Sequence, residues 1–201
     1  MKLITARQAW HDSTHAVVRS GLSGLEGRAM LGAAVQTTNR GVTADHAVHC
    51  AFAGIIQSVI VQLHPQLRAF GDWMYSSLEC PNMMVATEKL IFDAAIYNSK
   101  RMTKAKQEKA KVFAKGVLHR YKKMNQGGYH SAPDPLLKPD AFRSWLWSEH
   151  NLSLASSAWE REWGEFEASC FDACELIDKM ALAPITAKLR DICLPERNQA
   201  Y

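Results

Sequence analysis

The chain has 201 residues, 47% of them hydrophobic and 22% charged, which suffices for a real core in one large or two small domains and excludes global disorder. Seven Pro and 11 Gly are too few for a collagen-like or low-complexity chain, and no apolar run approaches the roughly 18 residues that span a bilayer. The net charge of +4 hides an asymmetry: Ser99 to Lys123 carries ten basic residues and one acid, whereas Trp159 to Ala181 carries seven acids and two bases.

The first residues lack the charged, apolar, small-residue order of a signal peptide, so a cytoplasmic protein with no membrane partner is expected. Helical spacing dominates from there on, and no alternating run of β-branched residues predicts a strand. The fold class expected is all-α, a multi-helix bundle. Thr5-Ala-Arg-Gln8 is a capping box opening a helix that Gly21 closes, and Ser23-Gly-Leu-Glu26 opens a second that ends near Asn39 to Gly41. Thr43, with Asp45 placed favourably for the dipole, is expected to cap a third helix, Ala44 to Leu63. Its apolar residues (Val48, Phe52, Ile55, Ile56, Val59, Ile60, Leu63) wrap most of the way round, which predicts the central core helix. Leu67 to about Ser77 reads as a fourth helix, broken at Cys80-Pro81-Asn82, and Val85 to Asn98 as a fifth.

The basic segment follows. Val112, Phe113, Gly116, Val117, Arg120 and Tyr121 form one stripe, while Lys104, Lys111, Lys115 and Lys122 form another at spacings of 7, 4 and 7. Asn125-Gln-Gly-Gly and Pro133, Pro135 and Pro139 make 125–139 an interdomain linker. The expected partition is a helical domain 1–124, that linker, a C-terminal helical hairpin 140–193 and a loose tail 194–201. Asp140 is expected to cap the first arm, which ends near His150-Asn151. Ser157-Ala-Trp-Glu160 is expected to cap the second, whose packing stripe is Trp159, Trp163, Phe166, Cys170, Cys174 and Ile177. Phe142 and Trp145 of the first arm are expected to cover that stripe. Pro184 is expected to end the helix, with a short one from Ile185 to Cys193 beyond it.

Chemistry-bearing clusters weigh against an enzyme. His46, His49 and Cys50 share adjacent faces of one helix and His11 and His15 lie four apart, but a zinc site needs about four ligands from converging elements. The expectation is therefore no metal and no cofactor. Five Cys without a Cys-x-x-Cys pair point to reduced thiols, and Cys170 and Cys174 lie on a packing stripe. Neither a Gly-x-Ser-x-Gly elbow nor a P-loop is present. Residues 142–166 have the outline of a helix-turn-helix, with a break at Asn151-Leu-Ser and Ser156 and Ser157 opening the second helix. Its acidity there disfavours phosphate, and Ser157 falls where a buried aliphatic is expected.

Concentrated positive charge attracts polyanions, because neutralising phosphates releases their counterions. The DNA-binding residues expected are Lys100, Arg101, Lys104, Lys106, Lys111, Lys115, Arg120, Lys122 and Lys123; Arg161, Glu162 and Glu165 are the candidate protein interface. The run Lys-Arg-Met-Thr-Lys-Ala-Lys-Gln-Glu-Lys-Ala (100–110), Leu118-His-Arg-Tyr-Lys, the Gly-Gly and proline linker, Trp159-Glu-Arg-Glu-Trp163 and Leu182-Ala-Pro184 together resemble phage late-gene antitermination proteins of the Q type, over roughly residues 97–185. That resemblance implies a protein that binds duplex DNA near a late promoter, joins paused RNA polymerase and carries it through terminators; it transfers no individual residue. The expected function is thus a DNA-binding transcription regulator of phage type that could also self-associate. The alternatives are a phage-encoded inhibitor or adaptor docking its basic face on an acidic host protein, and a small helical hydrolase using His46 and His49.

Overall fold

In a computed structural model, residues 5–15, 40–76, 80–125, 133–155 and 157–193 are described. The described chain is an all-α bundle without a strand. Its helices are α1 (residues 6–15), α2 (Arg40–Gln62), α3 (Pro65–Tyr75), α4 (Pro81–Tyr97), α5 (Lys104–Asn125), α6 (Pro139–His150) and α7 (Glu165–Cys193), the last preceded by a π-helical turn over Glu160–Gly164. Among the described residues no helix is long and apolar enough to cross a membrane.

Local chemistry accounts for most helix starts. The Gln8 amide donates to Thr5 Oγ1 at 3.2 Å, as the capping box requires. Pro65, Pro81 and Pro139 each occupy the first turn of α3, α4 and α6, where a missing N–H costs nothing. Pro65 and Pro81 thus open helices as well as separate them. Two expected caps differ. Thr43 lies inside α2, which begins at Arg40, and Lys138 rather than Asp140 is the N-cap of α6, with Asp140 in the first turn. The Ser157 to Glu160 capping box does not form. Ala158 takes φ 63° and Trp159 has no side-chain cap bond. The expected helix 23–39, the end of α1 at Gly21 and the tail 194–201 lie outside the described residues.

Two apolar clusters make the core. One joins Trp10, Ile56, Ile60, Phe70, Met74, Ile91 and Leu118 to Cys174, Ile177, Ile185 and Leu189 of α7. The other joins Ala95, Phe113, Val117, Phe142 and Leu146 to Trp159, Trp163, Phe166 and Cys170. α1 docks by close approach: a Cβ on Gly71 would come within 2.1 Å of the Trp10 ring, whose Nε1 donates to Asp72 Oδ1 at 3.1 Å. α5 meets α6 the same way, since a Cβ on Gly116 would lie 2.6 Å from Phe142.

The centre of the molecule is α7, not α2. Val48 is 70% exposed and Val61 58%, so α2 buries only a stripe through Ala53, Ile56 and Ile60. α7 packs on α2, α3, α4 and α5 and passes uninterrupted through Pro184. Pro184 points to solvent, as does Met180 four residues before it, whose carbonyl loses its amide partner. Beyond it, Ile185 and Leu189 are buried and hold the last turns. Hydrophobic burial overrides the break that the proline favours.

Residues of the expected domain 1–124 and of the expected hairpin 140–193 share the second cluster. The stripe Trp159 to Ile177 is buried throughout, but α5 covers it as much as α6 does. Phe113 stacks on Trp163 at 4.8 Å, and Phe142 meets Trp159 edge-on at 6.2 Å. Trp145 packs against the same cluster and also stacks on His119. The second half of α7 then enters the first cluster. Between α6 and the π-turn runs a connection over 151–158, longer than the 3–4-residue turn of a helix-turn-helix, and Trp159 and Trp163 point into the core.

Candidate nucleic-acid interface

α5 is built with two faces. Ala110, Phe113, Ala114, Gly116, Val117, Leu118, Arg120 and Tyr121 are buried, and the opposite face carries Lys104, Lys111, Lys115 and Lys122. At 1.5 Å per residue that lysine row is about 27 Å long.

Arg120 is the departure. Its side chain is only 3% exposed, and its guanidinium bonds Asp134 through Nε at 3.0 Å and Nη2 at 2.6 Å, and Glu167 through Nη1 at 2.5 Å. The rings of Phe142 and Phe171 lie 4.7 and 5.0 Å from its centre. Burial pulls the guanidinium pKa down, but its hydrogen bonds to Asp134 and Glu167, with their charges, outweigh it and the net displacement is upward. Arg120 stays charged and cannot reach a phosphate, so it leaves the DNA-binding set. It ties the proline segment to α5 and α7 instead, because Asp134 also accepts from the Leu136 amide at 2.9 Å.

The other expected contacts divide by partner. Lys100 pairs with Glu165 at 2.7 Å, Lys111 with Glu108 at 2.8 Å and Lys115 with Glu88 at 2.7 Å. Lys106 donates to the Glu162 carbonyl at 2.7 Å and lies over the Trp163 ring. Lys122 donates to the Trp73 carbonyl at 2.7 Å, its ammonium 4.2 Å from that ring. Arg101, Lys104 and Lys123 are exposed, with no ion pair among the described residues. Pairs such as Lys100–Glu165, with both side chains at least 70% exposed, are weak and exchange readily for another anion. Lys115–Glu88 is firmer, since Glu88 is 14% exposed.

Arg161, Glu162 and Glu165 all face solvent, at the edge where the π-turn meets the start of α5. The acidic segment therefore touches the basic one at Lys100 and Lys106 without covering the lysine row.

Aromatic rings flank that row, a feature the charge pattern does not disclose. His119 stacks on Trp145 at 4.8 Å, and His150 meets Trp145 edge-on at 5.2 Å. Burial, then the charges of Lys123 and Lys122, pull the His119 pKa below its ordinary value.

A second polar centre lies inside the bundle. The Asp178 carboxylate accepts from Tyr75 Oη at 2.6 Å, Tyr121 Oη at 3.0 Å and Arg7 Nη2 at 2.8 Å. Burial, and then that carboxylate, push both phenol pKa values far up, so neither tyrosine serves as a base. Sequence reading missed this centre because its members come from four helices.

The His11 and His15 rings lie 6.1 Å apart, centroid to centroid. His49 is exposed, and His11 Nδ1 lies 3.0 Å from the Tyr75 carbonyl; the His46 side chain lies outside the described residues. Among the described residues no group of three His, Cys, Asp or Glu could hold a metal ion. Cys170 and Cys174 are fully buried, and burial pushes their thiols up. Compared with known proteins, the chain matches no family model, no curated protein and no solved structure.

Proposed function

We propose that this protein is a DNA-binding regulator of transcription, and that the solvent face of α5 is what holds the phosphates. The observation that carries the reading is the row Lys104, Lys111, Lys115 and Lys122 along one face of α5, extended by Arg101 and Lys123. Such a row follows a phosphate rail, and each neutralised phosphate releases condensed counterions. The finer reading, an antiterminator that joins RNA polymerase at late promoters, rests on the resemblance to phage Q-type proteins alone. In that reading the acidic edge at Arg161, Glu162 and Glu165 meets polymerase or another copy of the chain.

Binding of a labelled duplex at several salt concentrations tests the proposal. About five phosphate contacts give a log-log slope near −4.5. No duplex binding at low salt would leave the adaptor, docking on an acidic protein, as the better account.

A further inference from the structure

We infer that the lysine face of α5 takes an unpaired stretch of nucleic acid, with a base stacking at the Trp145–His119 pair. This rests on the nucleic-acid reading above and names the form of its ligand.

His119 lies four residues after Lys115 and three and four before Lys122 and Lys123, so it shares their face of α5. Trp145 stands beside it from α6, with the two rings 23° from parallel and their centroids 4.8 Å apart. His150 closes the far edge of Trp145. Trp73 of α3 lies under the Lys122 ammonium. The C-terminal end of the lysine row thus has aromatic rings beside it from both α6 and α3.

Trp145 also packs against the second apolar cluster, parallel to the Phe142 ring with centroids 6.5 Å apart. Phe142 and Leu146 fill the α5–α6 contact over Gly116 and are buried, whereas Trp145 and His119 are only partly buried. Burial and the charges of Lys123 and Lys122 lower the His119 pKa, which disfavours its cationic form. The acids along this surface are Glu88 and Glu108, each paired with a lysine of the row, and Glu149 at the α6 edge.

A closed duplex offers this surface its phosphates but keeps its bases stacked inside. An unpaired strand offers phosphates and π-faces together, and base–aromatic stacking adds to the electrostatic attraction without depending on sequence. A surface that alternates cations and rings matches the second ligand. The strand's phosphates would lie on Lys111, Lys115 and Lys123 while one base packs on the accessible part of the Trp145–His119 pair.

The test compares three labelled ligands by fluorescence anisotropy: a duplex, the same duplex with a short internal bubble, and one of its strands alone. The bubble is expected to bind on the order of tenfold more tightly than the closed duplex. Trp145→Leu should remove that gain and leave duplex affinity unchanged, and Trp145→Phe, which restores a ring, should recover most of it. His119→Ala should reduce the gain, and serves if Trp145→Leu fails to melt cooperatively by circular dichroism. Equal affinity for bubble and duplex, with duplex binding intact, overturns this inference and leaves the function reading standing. So does a gain that survives both Trp145→Leu and His119→Ala. Failure to bind any of the three ligands overturns both.

Discussion

The Arg120 guanidinium sits between two phenyl rings with the carboxylates of Asp134 and Glu167 in hydrogen-bond reach. Taking a guanidinium out of water is costly, and the site is stable because every side of the charge is answered. Removing the arginine leaves Asp134, 9% exposed, and Glu167 without their cation. Arg120→Leu should therefore cost about 3 to 5 kcal/mol of stability, while duplex affinity per folded molecule stays at the parent value. The double substitution Lys104→Glu and Lys123→Glu should do the opposite: it should lower duplex affinity strongly at moderate salt and leave the melting temperature unchanged, because neither lysine holds an ion pair among the described residues. Thermal melts read beside anisotropy titrations check both halves. Lys115 is a poor choice for charge reversal, since a glutamate there would face Glu88 and confuse folding with binding. Sequence spacing had already put Arg120 on the apolar stripe with Phe113, Val117 and Tyr121, and that position was the better guide to its role than its charge. What spacing could not supply was the identity of its partners, which lie 14 and 47 residues further along.

α5 serves two masters, the core on one face and the lysine row on the other, and α6 decides where one ends and the other begins. Their contact depends on a missing side chain. Because a Cβ on Gly116 would sit 2.6 Å from Phe142 and 2.9 Å from Leu146, Gly116→Ala must push α6 outward or twist Phe142 off its rotamer. Alanine favours helix over glycine by about 1 kcal/mol, but overpacking costs about 1 to 3 kcal/mol, so a net loss of stability is expected, read by chemical denaturation. The same displacement would carry Trp145 away from His119. The helices themselves were legible: the stripe Trp159, Trp163, Phe166, Cys170, Cys174 and Ile177 is buried in full, as its spacing requires. Their ranking was not. α2 is the more apolar segment, yet Val48, Ile55 and Val61 are exposed, because burial depends on where a helix is placed as well as on what it carries.

At the scale of the whole molecule, the two clusters share one helix, α7. α7 is about 43 Å long at 1.5 Å per residue over its 29 residues. It contributes Phe166 and Cys170 to one cluster and Ile177, Ile185 and Leu189 to the other, and Phe171 packs against both. Cooperative units follow shared cores rather than proline-rich segments. Heating should give one transition, coincident by far-ultraviolet circular dichroism and by tryptophan fluorescence, with equal calorimetric and van't Hoff enthalpies. Two separated transitions would restore the partition at 125–139.

The sequence alone determined that the protein is helical, which face of α5 and of α7 would be apolar, and that lysines would line the other side of α5. These are local properties, since a side chain's direction on a helix follows from its position in a repeat of 3.6 residues. Tertiary structure decided the rest. It set α7 rather than α2 at the centre, carried the chain through Pro184, spent Arg120 on Asp134 and Glu167, gathered Tyr75, Tyr121 and Arg7 around Asp178, and brought Trp145 beside His119. Each of these outcomes depends on residues far apart in the chain meeting across a packed interface. Burial free energy and charge pairing are sums over neighbours, and only the fold specifies who the neighbours are.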